Sequence, residues 1–249
     1  MKKWRFLFCL LVCFLARLAY GQDSMDPLPN AVQKPTRVLF IGNSLSYSNL
    51  GVYYHIKKLG EAAVPPISMI EQHVVVPLAT LFVLFAQGKA VEEIQSGHYD
   101  VVVLQETLPF TTVQDFAASC SRFVSVISPT GARTVLFMSW DFAMRPEYTW
   151  IDAKGIAQAH YDVAKQLKIE VSPVGLAWRQ AMTERPELRL YSGDNLHPND
   201  AGTYLAACTL FSTIFGQSPV RNSYVGYVDQ ERATFLQQVA WEAVAGQPR

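Results

Sequence analysis

Val38-Leu39-Phe40-Ile41-Gly42-Asn43-Ser44-Leu45-Ser46 passes from an unbroken apolar run to a polar turn in a single step. Four consecutive apolar residues ended by a glycine read as a short strand buried on both faces, as in a parallel sheet covered by helices. Gly42 permits a tight exit, and a following helix aims its N-terminus near Ser44. Val101-Val102-Val103-Leu104 repeats the pattern, ending in Gln105-Glu106. Outward from these two runs, strands are predicted over 37–41, 67–76, 101–104, 134–138 and 170–174. Helices are predicted over 53–63, 78–94, 113–127, 156–167 and 176–183. Two more close the chain over 199–215 and 229–245, the first capped by Asn199 or Asp200. This alternation implies right-handed crossovers and an α/β fold: a three-layer α/β/α sandwich, flavodoxin-like, around a five-stranded, mostly parallel sheet. In such sheets sites form at the carboxyl ends of strands, where the polar segments of this chain fall.

The 249 residues, half of them hydrophobic, fit one domain over 36–249. A formal net charge of zero gives no basic footprint for nucleic acid. Lys2, Lys3 and Arg5 precede an apolar run over 6–16, and Ala19-Tyr20-Gly21 places small residues where a signal peptidase cuts. Residues 1–21 are therefore expected to be a signal peptide, with an uncleaved anchor as the alternative because Arg17 interrupts the segment. The apolar run is too short to span a bilayer, and no other segment reads as transmembrane. Removing residues 1–21 takes away four basic residues and no acid, leaving a mildly acidic exported chain. Residues 22–35, rich in Pro, Asp, Asn and Gln, read as a flexible lead-in. Cys120 and Cys208 then remain, as two buried thiols or as one disulfide.

Asp194-Asn195-Leu196-His197 supplies a carboxylate and an imidazole three residues apart, in a loop that opens a helix. A serine nucleophile needs a base for its proton, and that base needs a carboxylate to hold its tautomer. Taken alone, either segment also reads as a polar turn. Residues 42–46 lack the Lys of a phosphate-binding loop and the second glycine of a GxSxG elbow. His55, His73, His98 and His160 show no metal-ligand spacing, and no cofactor motif is present.

Together these segments resemble the SGNH (GDSL-type) hydrolase superfamily. Gly42-Asn43-Ser44 is similar to its first block and Asp194-x-x-His197 to its last. The strand ending Leu104-Gln105-Glu106, with Met138-Ser139-Trp140 and residues 173–178 and 197–208, is similar to a bacterial branch of it. The resemblance covers most of 37–220. It implies Ser44 as nucleophile, His197 as general base and Asp194 as its orienting carboxylate, with no cofactor or metal. Ser44 N–H would be one oxyanion donor. The superfamily's other two donors are a Gly after the second strand and an Asn after the third, and this chain departs at both. His73-Val74-Val75-Val76-Pro77 holds no glycine, leaving a backbone N–H of Val75 or Val76. Gln105-Glu106-Thr107 holds no Asn, leaving the Gln105 amide or the Thr107 hydroxyl. Asn43 and Trp140 are the candidate substrate contacts, with core packing the alternative for Trp140 and Trp178. The implied protein is a periplasmic or secreted esterase of small acyl, foremost acetyl, esters, with O-acetylated carbohydrate as substrate. An acyltransferase with the same triad, or a glycan-binding module without turnover, are the alternatives. The oligomeric state is open.

Overall fold

The computed structural model describes residues 34–142 and 144–247. The expected signal peptide, 1–21, and the lead-in up to residue 33 lie outside the described residues. Five strands, β1 Thr36–Gly42, β2 Met69–Val75, β3 Val101–Gln105, β4 Arg133–Phe137 and β5 Glu170–Ser172, form one sheet in the order β2-β1-β3-β4-β5. Every pairing is parallel, and Ile41 sits in register with both Val74 and Leu104. The carboxyl ends of β1, β2 and β3 therefore finish side by side, and the loops that leave them share one end of the sheet.

The helices are α1 Ser44–Tyr47, α2 Val52–Glu61, α3 Leu81–Ala86, α4 Lys89–Ser96, α5 Val113–Ile127, α6 Ala153–Leu167, α7 Val174–Glu184, α8 Asp200–Phe215 and α9 Gln230–Ala245. Side chains alternate across the sheet with period two. Val38, Phe40, Val101, Val103, Val135 and Phe137 pack into the layer built by α2, α7, α8 and α9. Leu39, Ile41, Val102, Leu104 and Leu136 pack into the opposite layer of α3, α4, α5 and α6. Helix α8 is buried almost all round, between the sheet and its neighbours α2, α7 and α9. That burial accounts for its nearly unbroken apolar sequence. Among the described residues no helix is long and apolar enough to cross a membrane.

The expected helix over 78–94 is two helices. Gly88 takes a left-handed conformation, φ +78°, which interrupts the helical ladder between α3 and α4. The last strand is shorter than expected, because Pro173 has no N–H to extend it and instead opens α7. Cys120 and Cys208 are both free and buried, in opposite core layers, so they form no disulfide with each other.

His160, on the buried face of α6, adds a pH-sensitive element to this core. Its Nδ1 donates to Ile156 O at 2.8 Å and its ring packs 4.7 Å from Phe116. Burial pushes its pKa down to about 4, against the opposing effect of the Ile156 bond. The folded state therefore holds His160 neutral while an unfolded chain takes up a proton below pH 6.5, so stability is full above that pH and falls toward pH 4. The expected loss is about 3 kcal/mol over this window. Urea unfolding of His160→Leu from pH 4 to 7 should show a slope shallower by about 1.4 kcal/mol per pH unit. An unchanged slope would show that His160 does not stay neutral in the fold.

Candidate active site

Glycine at 42 is set by a close approach. A Cβ there would lie 2.5 Å from Gln105 Oε1. Without it, Gln105 Oε1 accepts from Asn43 N at 2.8 Å and from Ser46 Oγ at 3.0 Å, fastening the turn to the end of β3. Asn43 caps α1 through Leu45 N at 3.2 Å, and its Nδ2 donates to Ala79 O at 3.0 Å and Thr107 Oγ1 at 2.9 Å. Ser44, the first residue of α1, is thus held from both neighbouring strands and remains 9% exposed.

The loop between α7 and α8 is folded around Asp194. Its Oδ1 accepts from Leu196 N and His197 N, both at 3.0 Å, and from Ser192 Oγ at 2.9 Å. Three neighbours brace the loop. Trp140 Nε1 donates to Leu196 O at 3.0 Å, Arg145 Nη1 to Asp194 O at 3.1 Å, and Asn49 Nδ2 to Pro198 O at 2.9 Å. Asn49 is itself in the left-handed region, φ +51°, and its carbonyl accepts from His55 Nε2 at 2.9 Å. Trp140 stacks on Trp178 at 4.0 Å, making a flat floor beneath the loop.

These two assemblies meet in one line. His197 Nε2 lies 2.8 Å from Ser44 Oγ, and His197 Nδ1 lies 2.5 Å from Asp194 Oδ2. With Nδ1–H donated to the carboxylate, Nε2 carries the lone pair that accepts the serine O–H. Burial raises the Asp194 pKa, but the His197 ring, the two backbone amides and Ser192 outweigh it, holding the carboxyl well below its ordinary range. The carboxylate therefore stays ionised, as an orienting partner must. Chemically, such a line moves the serine proton onto imidazole while the oxygen attacks an electrophile.

Other expected site residues take different places. Val76 N donates to Gly42 O at 3.1 Å, so that N–H is already spent. Gln105 is buried: its Oε1 holds the Asn43 turn and its Nε2 donates to Thr107 Oγ1 at 3.3 Å, so it supports the site from beneath. Thr107 Oγ1 accepts from both Asn43 and Gln105, which leaves its own hydrogen as the donor still to be placed. Ser44 N, in the first turn of α1, has no intrahelical acceptor. Asn43, expected at the substrate, and Trp140, expected there or in the core, are each 1% exposed with their polar groups bonded inside the fold. Asn43 shapes the nucleophile turn and Trp140 the histidine loop.

Sequence reasoning missed four contributors. Glu106 accepts from Leu81 N at 2.7 Å and Thr107 N at 2.8 Å, pinning the segment after β3 to the start of α3. Burial pushes its carboxyl up to about 7, with those two amides pulling the other way. Asn49 and Arg145 brace the histidine loop from segments with no motif. Trp150 is 54% exposed on the loop after β4, its indole N–H donated to Pro109 O at 3.1 Å, two residues beyond Thr107. A lone Trp in a stretch without helix or strand periodicity was the available signal.

No family model and no curated protein matches this sequence. Solved structures do. A DUF4886 family protein from Bacteroides uniformis superposes with a TM-score of 0.74 at 20% identity, covering 85% of this chain and 95% of that one. Axe2, an acetylxylan esterase from Geobacillus stearothermophilus, superposes with a TM-score of 0.60 at 17% identity, covering 75% and 96%. TesA gives a TM-score of 0.54 at 15% identity, covering 72% and 98%.

Proposed function

We propose that this chain, which has the fold of the SGNH hydrolases, is an exported serine esterase that removes small acyl groups, foremost acetyl, from carbohydrate. The observation that carries the reading is the unbroken line Ser44–His197–Asp194, assembled from residues 153 positions apart in sequence. A glycan-binding module has no use for that alignment.

In this mechanism His197 Nε2 takes the Ser44 proton as Oγ bonds to the ester carbonyl carbon. The charge that develops on the carbonyl oxygen is met by Ser44 N–H and the Thr107 hydroxyl. The imidazolium then returns its proton to the departing alcohol oxygen as the C–O bond breaks, leaving an acyl-enzyme. A water molecule, deprotonated by the same His197, attacks that carbonyl and releases the acid and Ser44. The His197 side chain is one-third exposed, so water reaches the base directly, which favours hydrolysis over transfer to another alcohol.

Support for a sugar ester comes from Trp150 rather than Trp140. Its indole N–H is satisfied by Pro109 O, two residues beyond Thr107, and more than half of its surface is open, as a pyranose-stacking face requires. The likeness to an acetylxylan esterase supports the same class, and residues 1–21 support export. The test is acetate release from acetylated xylo-oligosaccharides against hydrolysis of p-nitrophenyl acetate. Trp150→Ala should raise KM for the oligosaccharide about tenfold, equivalent to 1.4 kcal/mol, and leave the small ester unchanged. No acetate release from any acetylated sugar, with p-nitrophenyl acetate still cleaved, would remove the carbohydrate assignment.

A further inference from the structure

Residues 48 and 49 touch both halves of the serine–histidine pair. Ser48 N and Ser48 Oγ donate to the carbonyl of Ser44 itself, at 3.0 and 2.7 Å. Asn49 Nδ2 donates to Pro198 O at 2.9 Å, one residue beyond His197, and to Thr203 Oγ1 of α8 at 2.8 Å. These two residues therefore form a hydrogen-bonded bridge from the backbone of the nucleophile to the loop of the base. The bridge stands on strained backbone. Asn49, Leu50 and Gly51 are all left-handed, with φ of +51°, +70° and +85°. Asparagine and glycine tolerate that region, but leucine is sterically disfavoured there. Leu50 is also exposed, so burial does not offset the strain. Such a run persists only where its surroundings over-determine it.

What fixes the run lies beneath it. His55, on α2, is fully buried, and its Nε2 donates to Asn49 O at 2.9 Å. A carbonyl only accepts, so Nε2 carries the ring proton and Nδ1 the lone pair. The Tyr224 hydroxyl, from the connector between α8 and α9, meets that lone pair at 2.8 Å. Tyr224 is held in turn, its N–H donating to Asn222 Oδ1 at 3.0 Å and its carbonyl accepting from Tyr204 Oη at 2.6 Å. Burial pushes the His55 pKa down, against the Asn49 bond and the Asp200 charge, so the ring is neutral at neutral pH. Donation then runs one way, from Tyr224 to His55, from His55 to Asn49 O, and from the Asn49 amide to the loop of the base.

We propose that His55 is a positioning residue for ester hydrolysis, setting the separation of Ser44 Oγ and His197 Nε2 through Asn49. The role rests on the serine esterase reading above. His55 touches neither substrate nor reacting atoms, so its effect falls on the chemical step and not on binding.

The test compares His55→Leu, His55→Gln and Asn49→Gly in p-nitrophenyl acetate hydrolysis, on protein verified as folded. Leucine fills the space and makes neither hydrogen bond. Its kcat should fall on the order of 10²-fold with KM within about twofold, the cost of a displacement of about 1 Å at reacting atoms. Glutamine can donate to Asn49 O and accept from Tyr224, so His55→Gln should restore kcat to within about threefold of the unsubstituted protein. Asn49→Gly suits the left-handed backbone and removes only the side-chain bridge. It should lose as much as His55→Leu, and the double variant should be no worse than either. A merely structural histidine would lower the melting temperature and leave kcat of the folded protein alone. Unchanged kcat in folded His55→Leu or in Asn49→Gly overturns the proposal. So does His55→Gln as slow as His55→Leu, or losses that multiply in the double variant. If His55→Leu does not fold, nitrogen NMR of the unsubstituted protein decides with the other two variants. A His55 proton on Nδ1 overturns the proposal, and a proton on Nε2 with slow Asn49→Gly and active His55→Gln upholds it. Ser44→Ala run alongside separates the two levels. Activity lost in Ser44→Ala but kept in His55→Leu sinks only the His55 assignment. An inactive unsubstituted chain sinks the esterase reading and this proposal together.

Discussion

Replacing Ser44 with alanine is expected to lower kcat for p-nitrophenyl acetate by about 10⁴–10⁶-fold. The argument is geometric. Ser44 Oγ is the atom of this site that lies 2.8 Å from His197 Nε2, and its removal leaves the imidazole with nothing to deprotonate except water. His197→Ala should cost about as much, because an unassisted serine hydroxyl is a weak nucleophile. The double variant should be little worse than either single one, since the pair acts as a unit and deleting one member already forfeits the function of the other. Some rate above that of water should persist, from donors that still bind the oxyanion. Ser46→Ala is the useful control. Ser46 Oγ is also a buried serine oxygen two residues away, but it bonds Gln105 Oε1 and not the histidine. Initial rates on folded protein, verified by thermal melting, decide the matter. Equal rates in the unsubstituted, Ser44→Ala and His197→Ala proteins would end the esterase reading.

Much of the fold was legible because its strands are short, apolar and cleanly ended. The run 38–41 and the valines of 101–103 can only be strands buried on both faces, and the sheet places them next to each other in register. The expected helix over 78–94 failed at local backbone chemistry, because Gly88 takes a left-handed conformation that splits it. The residues of the Ser-His-Asp line were legible because each belongs to a short motif at a strand or helix end. Their supports were not, because support depends on which side chain crosses the chain to reach which carbonyl. Trp140 reads equally as a substrate contact or a core residue, and nothing in the sequence shows that, buried, it donates to Leu196 O and braces the histidine loop. Gln105 reads as an amide donor, yet its oxygen is what the nucleophile turn requires.

Asp194→Asn is expected to lower kcat by about 10⁴-fold while leaving the fold almost untouched. Asp194 divides its two oxygens between two tasks. Oδ1 accepts from Leu196 N, His197 N and Ser192 Oγ, and so holds the loop; Oδ2 faces His197 Nδ1. An asparagine keeps the loop bonds by placing its carbonyl oxygen at the Oδ1 position. Its amide nitrogen then faces Nδ1 as a donor, which makes Nδ1 the acceptor and moves the ring proton to Nε2. An Nε2–H cannot take the Ser44 proton, so the line remains visible in the structure and fails in function. Asp194→Ala should lose the rate and also loosen the loop, with a lower melting temperature and a higher KM than the asparagine variant. The same carboxyl is held well below its ordinary range, so it remains charged in acid. The acid limb of kcat/KM should therefore carry no contribution from Asp194 and be no steeper than unit slope. A slope of two would mean that Asp194 titrates within that limb, contrary to the hydrogen bonds that hold it ionised. Full activity in Asp194→Asn would show that the histidine takes its tautomer from some other partner.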